Sequence, residues 1–329
     1  MTTVIFTSVY RDRLNAYVDL RRSLGFHLGS QVYILGKFDR VIQSEMSAAG
    51  PITRAVVEAF LGSLGGLLPI TRHRQLSIVR QFLLHLSQFE PETFIPDHGM
   101  EPARGFPRAP HIYSEREIQA LLTAALAYSV RPRGALRPLT YHTLIAFLYA
   151  TGMRISETLD LRLGDVDFRQ GVIKIRKAKF DKSRLVPVLP STCEGLKRYL
   201  VARAERGHPT TADAALFVNE SMRPVCYPTA SATFNKIARR AGLRGSQGTR
   251  GPRIHDLRHS FAVRRLLLWY RQGKKVQALL HVLATYMGHS HVSALDVYLT
   301  ATSELLAEAG ARFERHFPLD VEAHGGITS

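Results

Sequence analysis

Proline and glycine punctuation decides the layout of this chain. Residues 91–112, PETFIPDHGMEPARGFPRAPHI, hold five prolines and two glycines. Proline fixes φ and lacks an N–H, so so dense a run supports neither a continuous helix nor a strand ladder. The stretch is expected to connect two domains. The first spans 1–100, the linker about 101–112, and the second 113–302, with a C-terminal helix and tail over 303–329. A chain of 329 residues has room for two such domains, each with its own core.

The first domain reads as helical. In VYRDRLNAYVDLRRSL (9–24), Leu14, Tyr17, Val18 and Leu24 fall near helical spacing, and Gly25 closes the pattern. PITRAVVEAFLGSL (51–64) begins on a proline, which suits a first helical position, and carries the stripe Val56, Val57, Phe60, Leu61 and Leu64. A further helix over about 71–89 sets Leu76, Val79, Phe82, Leu83 and Leu86 on one face and Arg72, Arg74 and Arg80 on the other. The expectation is a compact bundle of about four helices with a basic rim.

Charge narrows the partner. The formal net charge is +17 and the sequence pI about 10.3. A globular protein this basic is expected to meet a polyanion. Its basic residues recur along the chain, as in Arg72–Arg74, Lys174–Arg184, Arg239–Arg253 and Arg264–Lys275. That spread suits a protein that wraps its partner. The two cysteines, Cys193 and Cys226, form no metal-ligand pair and no disulfide framework, so a reducing cytoplasm is expected. MTTVIFTSVYRDR lacks the apolar core of a signal peptide, and no segment approaches ~18 uninterrupted apolar residues.

The second domain opens at SEREIQALL, where Ser114 and Glu117 make a capping-box pattern for a helix starting near Glu115. LTYHTLIAFLYA (139–150) predicts a buried helix ended by Thr151-Gly152. Arg154 follows in TGMRISE, with Glu157 three residues on as a supporting residue. Alternation in GVIKIRKAK and the return LVPV predict a β-hairpin. Lys177, Lys179 and Lys182 crowd its turn, and any of the three can grip a phosphate. Helices are expected over 191–206 and 229–241, with AALFVN as a short buried strand between them. Arg239 and Arg240 open a basic, glycine-rich run suited to phosphate contacts.

The last stretch, RIHDLRHSFAVRRLLLWYRQGKKVQALLHVLATYMGHSHVSALDVYLT (253–300), carries the chemistry. His255 and Arg258 lie three apart, a spacing that puts both on one helical face. His289 follows a glycine, and Tyr298 lies nine residues later. Arginine and imidazolium can neutralise phosphate oxygens as charge builds in a transition state. A phenol oxygen can act as a covalent nucleophile. His259 turns about 100° from Arg258 on a helix and reads as a packing residue. Tyr286 reads as core, as do Trp269 and Tyr270.

The runs HDLRHSFA, MGHS and DVY, with TGMRISE upstream, resemble the signature of the tyrosine recombinases, the phage integrase family. The resemblance covers about residues 113–300 by motif and residues 1–100 by helical pattern alone. It implies a mainly α fold with a small β-hairpin or sheet in the catalytic domain, and a two-domain clamp around double-stranded DNA. Its catalytic set falls on Arg154, Lys179, His255, Arg258, His289 and the nucleophile Tyr298, with Lys177 the alternative to Lys179. The implied reaction is site-specific cutting and rejoining of DNA through a 3′-phosphotyrosyl link and a Holliday junction. It calls for no metal, ATP or other cofactor, in keeping with the lack of a Walker motif and of a carboxylate cluster. Implied partners are inverted-repeat core sites and a homotetramer on synapsed DNA, with or without partner recombinases, in the bacterial cytoplasm. Two readings stand beside it: a type IB topoisomerase-like enzyme, and a DNA-binding protein without activity.

Overall fold

The computed structural model describes residues 4–26, 28–48, 50–97, 100, 109–128, 136–176, 183–246, 251–288, 295, 298 and 305–308. It divides into two compact units, Met1–Arg108 and Ala109–Ser329.

The N-terminal unit holds α1 (Arg11–Ser23), α2 (Gly29–Glu45), α3 (Arg54–Ser63) and α4 (Pro69–Leu86). Their apolar stripes meet around Leu14, Phe38, Phe60 and Phe82, all fully buried. Phe38 meets Phe60 and Phe82 edge-on, with ring centroids 5.3 and 6.5 Å away. Helix α3 starts three residues after Pro51, not on it. Ile52 is fully buried and its carbonyl accepts the Phe94 N–H at 2.8 Å, so this segment is held extended until Thr53, the residue that precedes α3. Of the arginines on α4, Arg74 is exposed and Arg72 half-buried, while Arg80 donates Nε to the Pro96 carbonyl at 2.9 Å.

The C-terminal unit holds α5 (Glu115–Leu126), α6 (Arg137–Thr151), α7 (Ile155–Leu159), β1 (Val166–Asp167), β2 (Val172–Ile175), β3 (Arg184–Pro187), α8 (Pro190–Ala204), α9 (Tyr227–Arg240), α10 (Asp256–Arg271) and α11 (Val276–Met287). Helix α6 is apolar around most of its circumference and packs against α5, α8 and α10, as a buried helix must. The capping box at Ser114 forms: its Oγ accepts from Glu117 N, and Glu117 Oε2 accepts from Ser114 N at 2.8 Å.

The sheet has three antiparallel strands in the order β1-β2-β3, with Ile173 between Val166 and Val186 and Ile175 opposite Arg184. The expected hairpin is there, with β1 as an edge strand too short to read from alternation. AALFVN, expected as a strand, makes only single bridges, Ala215 to Arg162 and Val218 to Pro224. A buried arginine supplies what a ladder would. Arg203 of α8 is 1% exposed and donates to the carbonyls of Pro209, Ala215 and Leu216. Leu305 is buried in the same cluster as Leu266, Leu283 and Tyr298. Among the described residues no helix is long and apolar enough to cross a membrane.

Candidate active site

Two helix ends and two helix starts build the site. Gly152 ends α6 in the left-handed conformation (φ +61°), and a Cβ there would collide with the Phe261 ring. Gly288 ends α11 in the same way (φ +71°). At the starts, Arg154 precedes α7 and His255 precedes α10. Glycine is the residue that turns a chain this sharply at low cost. The result brings the carbonyls of Gly152, Met287 and Gly288 to one place, where three guanidiniums take them up.

Arg258, buried, donates Nη1 to Gly152 O and Nη2 to Met287 O, each at 2.7 Å. Arg154 donates Nη2 to Gly288 O, and its Nη1 pairs with Glu157 Oε1 at 2.8 Å. Arg184, the first residue of β3, donates Nη1 and Nη2 to the two oxygens of Glu157 at 2.9 and 2.8 Å and Nε to Tyr286 O at 3.2 Å. Burial works to raise the Glu157 carboxyl, but hydrogen bonds and charge from Arg184 and Arg154 prevail and hold it below its ordinary value. Burial first, and then the charge of Arg154, pull Arg258 down to about 10, so it stays a cation at neutral pH. Three guanidiniums thus gather around one carboxylate, which pairs with two of them, Arg154 and Arg184. The uncompensated charge and the donors left over on each five-donor fork are suited to a phosphate.

Tyr298 is 2% exposed. Burial raises its phenol above the ordinary value, while the charge of Arg258, a hydrogen bond from it, and Arg154 act to lower it. The His259 ring lies 5.4 Å from the Tyr298 ring and 5.0 Å, edge-on, from that of His255. His255 keeps solvent access, yet the protein packed on its other side, then Arg258, hold it below its ordinary value. Burial and then the neighbouring His255 push His259 down to about 4. At neutral pH both imidazoles are uncharged and able to take a proton.

Arg154, Glu157, Arg258, His255 and Tyr298 therefore share one site. Lys177, Lys179, Lys182 and His289 lie outside the described residues, as does His291. The basic candidates on α9 differ from one another. Arg239 is half-buried, whereas Arg240 donates to Ala127 O at 3.2 Å and covers the Tyr128 ring. Tyr286 is half-buried with its ring stacked on Phe261. One residue of the cluster, Arg184, has no signal in the sequence. Arg184 reads as the start of a strand, and no local pattern marks it as a partner of Glu157. His259 packs as its position on the helix predicts, and its partners are the rings of Tyr298 and of His255, four residues before it. That spacing stacks two side chains on consecutive turns.

Residues 113–304 match the phage integrase family. The chain belongs to the phage integrase family, the tyrosine recombinases. It is 37% identical over 311 residues to a putative integrase/recombinase, y4rB, of Sinorhizobium fredii, covering 94% of this chain and 98% of that one. It is 28% identical over 273 residues to the tyrosine recombinase XerC of Lactobacillus leichmannii, covering 81% and 83%. Its fold is similar to that of the Tn1549 transposon integrase solved with transposon right end DNA, with a TM-score of 0.65 at 16% identity over 92% of this chain and 98% of that one.

Proposed function

We propose that this recombinase cuts and rejoins double-stranded DNA at specific sites through a covalent phosphotyrosine. The observation that carries the reading is the buried Tyr298 held beside Arg258 and Arg154 in a family whose chemistry needs those groups together. Tyr298 Oη forms a bond to the scissile phosphorus as the bond from phosphorus to the 5′ oxygen breaks, leaving a 3′-phosphotyrosyl link. The phenol proton passes to a neutral imidazole, His255. Lys179, which lies between β2 and β3 in the sequence, gives a proton to the leaving 5′ oxygen, as a long ammonium side chain can. Arg154, Arg258 and His289 spread the charge of the pentacoordinate phosphorus. A 5′ hydroxyl from a partner duplex then reverses the step. Because the link conserves the bond energy, the reaction draws on neither ATP nor a metal.

Two such exchanges pass through a Holliday junction and employ four protomers on two inverted-repeat core sites, or two protomers with partner recombinases. The helical N-terminal unit serves as the core-binding half of a clamp, with Arg72, Arg74 and Arg80 as candidate phosphate contacts; Lys177, Lys182, Arg239 and Arg240 are the candidates of the other half. The setting is the bacterial cytoplasm, on nucleoid or mobile-element DNA.

A covalent trap tests this. The protein is incubated with nicked duplexes from the DNA flanking its gene, with EDTA present, and run on a denaturing gel beside Tyr298→Phe. The expected outcome is a protein–DNA band in the wild type alone. A band in both would move the nucleophile elsewhere, with Tyr286 next. Absence from both across the flanking sequence would favour a binding protein without strand-cutting activity.

A further inference from the structure

Arg184 is the least exposed of the three groups in the Glu157 cluster apart from Glu157 itself: the side chains of Arg154, Arg184 and Glu157 are 28%, 13% and 10% exposed. Its guanidinium joins Glu157 to the end of α11. Both its terminal nitrogens pair with Glu157, its Nε reaches Tyr286 O, and its Nη2 lies 3.4 Å from Met287 O. Gly288 is shaped around it. A Cβ on Gly288 would stand 2.6 Å from Arg184 Nη1 and 3.0 Å from Arg154 Nη1. The corner that leads into His289 is therefore packed flat against two guanidiniums, and only a residue without a side chain fits there.

Glu157 has two oxygens and two cationic partners. Its Oε1 is shared by Arg154 and Arg184, and its Oε2 takes Arg184 and the Arg154 backbone N–H. A bidentate fork from a separate strand fixes a carboxylate in plane and angle against the rest of the fold. With Arg184 in place, Glu157 presents Oε1 to Arg154 in one orientation. Without it, Glu157 keeps only the Arg154 backbone N–H on Oε2 and Arg154 Nη1 on Oε1, so nothing outside the Arg154 turn fixes the pair, and the end of α11 loses its side support.

We propose that Arg184 is a positioning residue for phosphate stabilisation, setting the pose of Arg154 through Glu157 and the pose of the Gly288 corner directly. The proposal rests on the strand-transfer reading above. Arg184 also begins β3, five residues after Lys179 in the sequence, so the alternative is that it acts on the leaving oxygen through Lys179, and the test separates the two.

The test compares wild type, Arg184→Met and Arg184→Lys in single-turnover cleavage, on nicked duplexes cut by the wild type. Three linkages are used at the scissile position: the natural phosphodiester, a neutral methylphosphonate, and a bridging 5′ sulfur that leaves without a proton. On the phosphodiester, Arg184→Met should cleave about 100-fold more slowly, the scale of losing one aligned charge-stabilising donor. DNA affinity should stay within about 3-fold of wild type. Arg184→Lys should restore little, since an ammonium cannot make the fork. On the methylphosphonate the deficit should shrink by about 10-fold, because there is less charge to neutralise. An unchanged deficit on the methylphosphonate overturns the proposal, and so does rescue by the 5′ sulfur alone, which would assign Arg184 to Lys179.

A second measurement needs no DNA. In arginine side-chain NMR of the free full-length protein, the Arg154 guanidinium should exchange slowly in wild type and fast in Arg184→Met. Unchanged exchange overturns the proposal. If wild type and Tyr298→Phe behave alike in cleavage, the strand-transfer reading fails, while the NMR result still decides whether Arg184 positions Arg154.

Discussion

Two carboxylates, Asp39 in the N-terminal unit and the half-buried Glu157 in the C-terminal unit, are satisfied in opposite ways. Asp39 of α2 is 1% exposed and accepts from the backbone N–H groups of Thr7 and Ser8 at 2.7 and 3.2 Å and from the Ser8 hydroxyl at 2.5 Å. All these donors are neutral and come from one turn of chain. Glu157 instead takes two guanidiniums, whose remaining donors reach the end of α11. The first arrangement fastens one segment and leaves no positive charge over. The second gathers three segments and leaves cations in excess. Comparing them separates a carboxylate used to hold structure from one used to arrange charge for a ligand.

The largest effect should come from Glu157→Ala. It leaves Arg154 and Arg184 facing one another without their shared anion, and breaking a buried pair from one side costs about 3 kcal/mol. The only tryptophan, Trp269, lies on α10 and reports on the C-terminal unit. Its fluorescence should show a lower denaturant midpoint. Glu157→Gln keeps one acceptor but turns an amide N–H toward a guanidinium, so a loss of about 1–2 kcal/mol is expected. A midpoint unmoved by Glu157→Ala would break the comparison, since Glu157 would then be no hub.

Next is acid sensitivity. His259 binds a proton near 6.5 when unfolded and at about 4 when folded, so acid favours the unfolded chain. The neutral-pH stability is full above pH 6.5, falls through this window and is lost below about 4. His255, lowered in the same direction, adds to the upper part of the window. Replacing His259 by Phe keeps a ring against Tyr298 and removes the titration. The Trp269 midpoint of His259→Phe should flatten between pH 6.5 and 4, by roughly 1–3 kcal/mol relative to wild type. A wild-type midpoint already flat over that range would count against the burial of this imidazole.

The contrast also explains what could be read in advance. Helix stripes, the capping box at Ser114 and the glycine stop at Gly152 are local, and each is legible from spacing. So are Arg154, Arg258, His255 and Tyr298, because the motifs around them are contiguous runs. Arg184 and Arg203 are not legible. Each satisfies groups that are distant in sequence or irregular in backbone, Arg184 across 27 residues to Glu157 and 102 to Tyr286, and such pairings leave no period. The start of α3 was misplaced for a related reason. Pro51 suits a first helical position, but burial of Ile52 and its bond from Phe94 decide the path.

The smallest effect, and the sharpest check on the comparison, is Asp39→Asn. Asparagine keeps one acceptor oxygen but sets an N–H2 against the Thr7 and Ser8 N–H groups. At least one of those donors then loses its partner, at a cost of about 1–2 kcal/mol. No cation is left over, so nothing beyond the Thr7–Ser8 turn and its seat on α2 should respond. Hydrogen exchange read by mass spectrometry should speed up in peptides from α1 and α2, while peptides from α10 and the Trp269 midpoint stay at wild-type values. Glu157→Ala should give the reverse, with faster exchange at the ends of α6 and α11 and none added in α1 or α2. Should Asp39→Asn loosen α10 as much as α2, the two units would be unfolding together, and the carboxylates would differ in chemistry but not in reach.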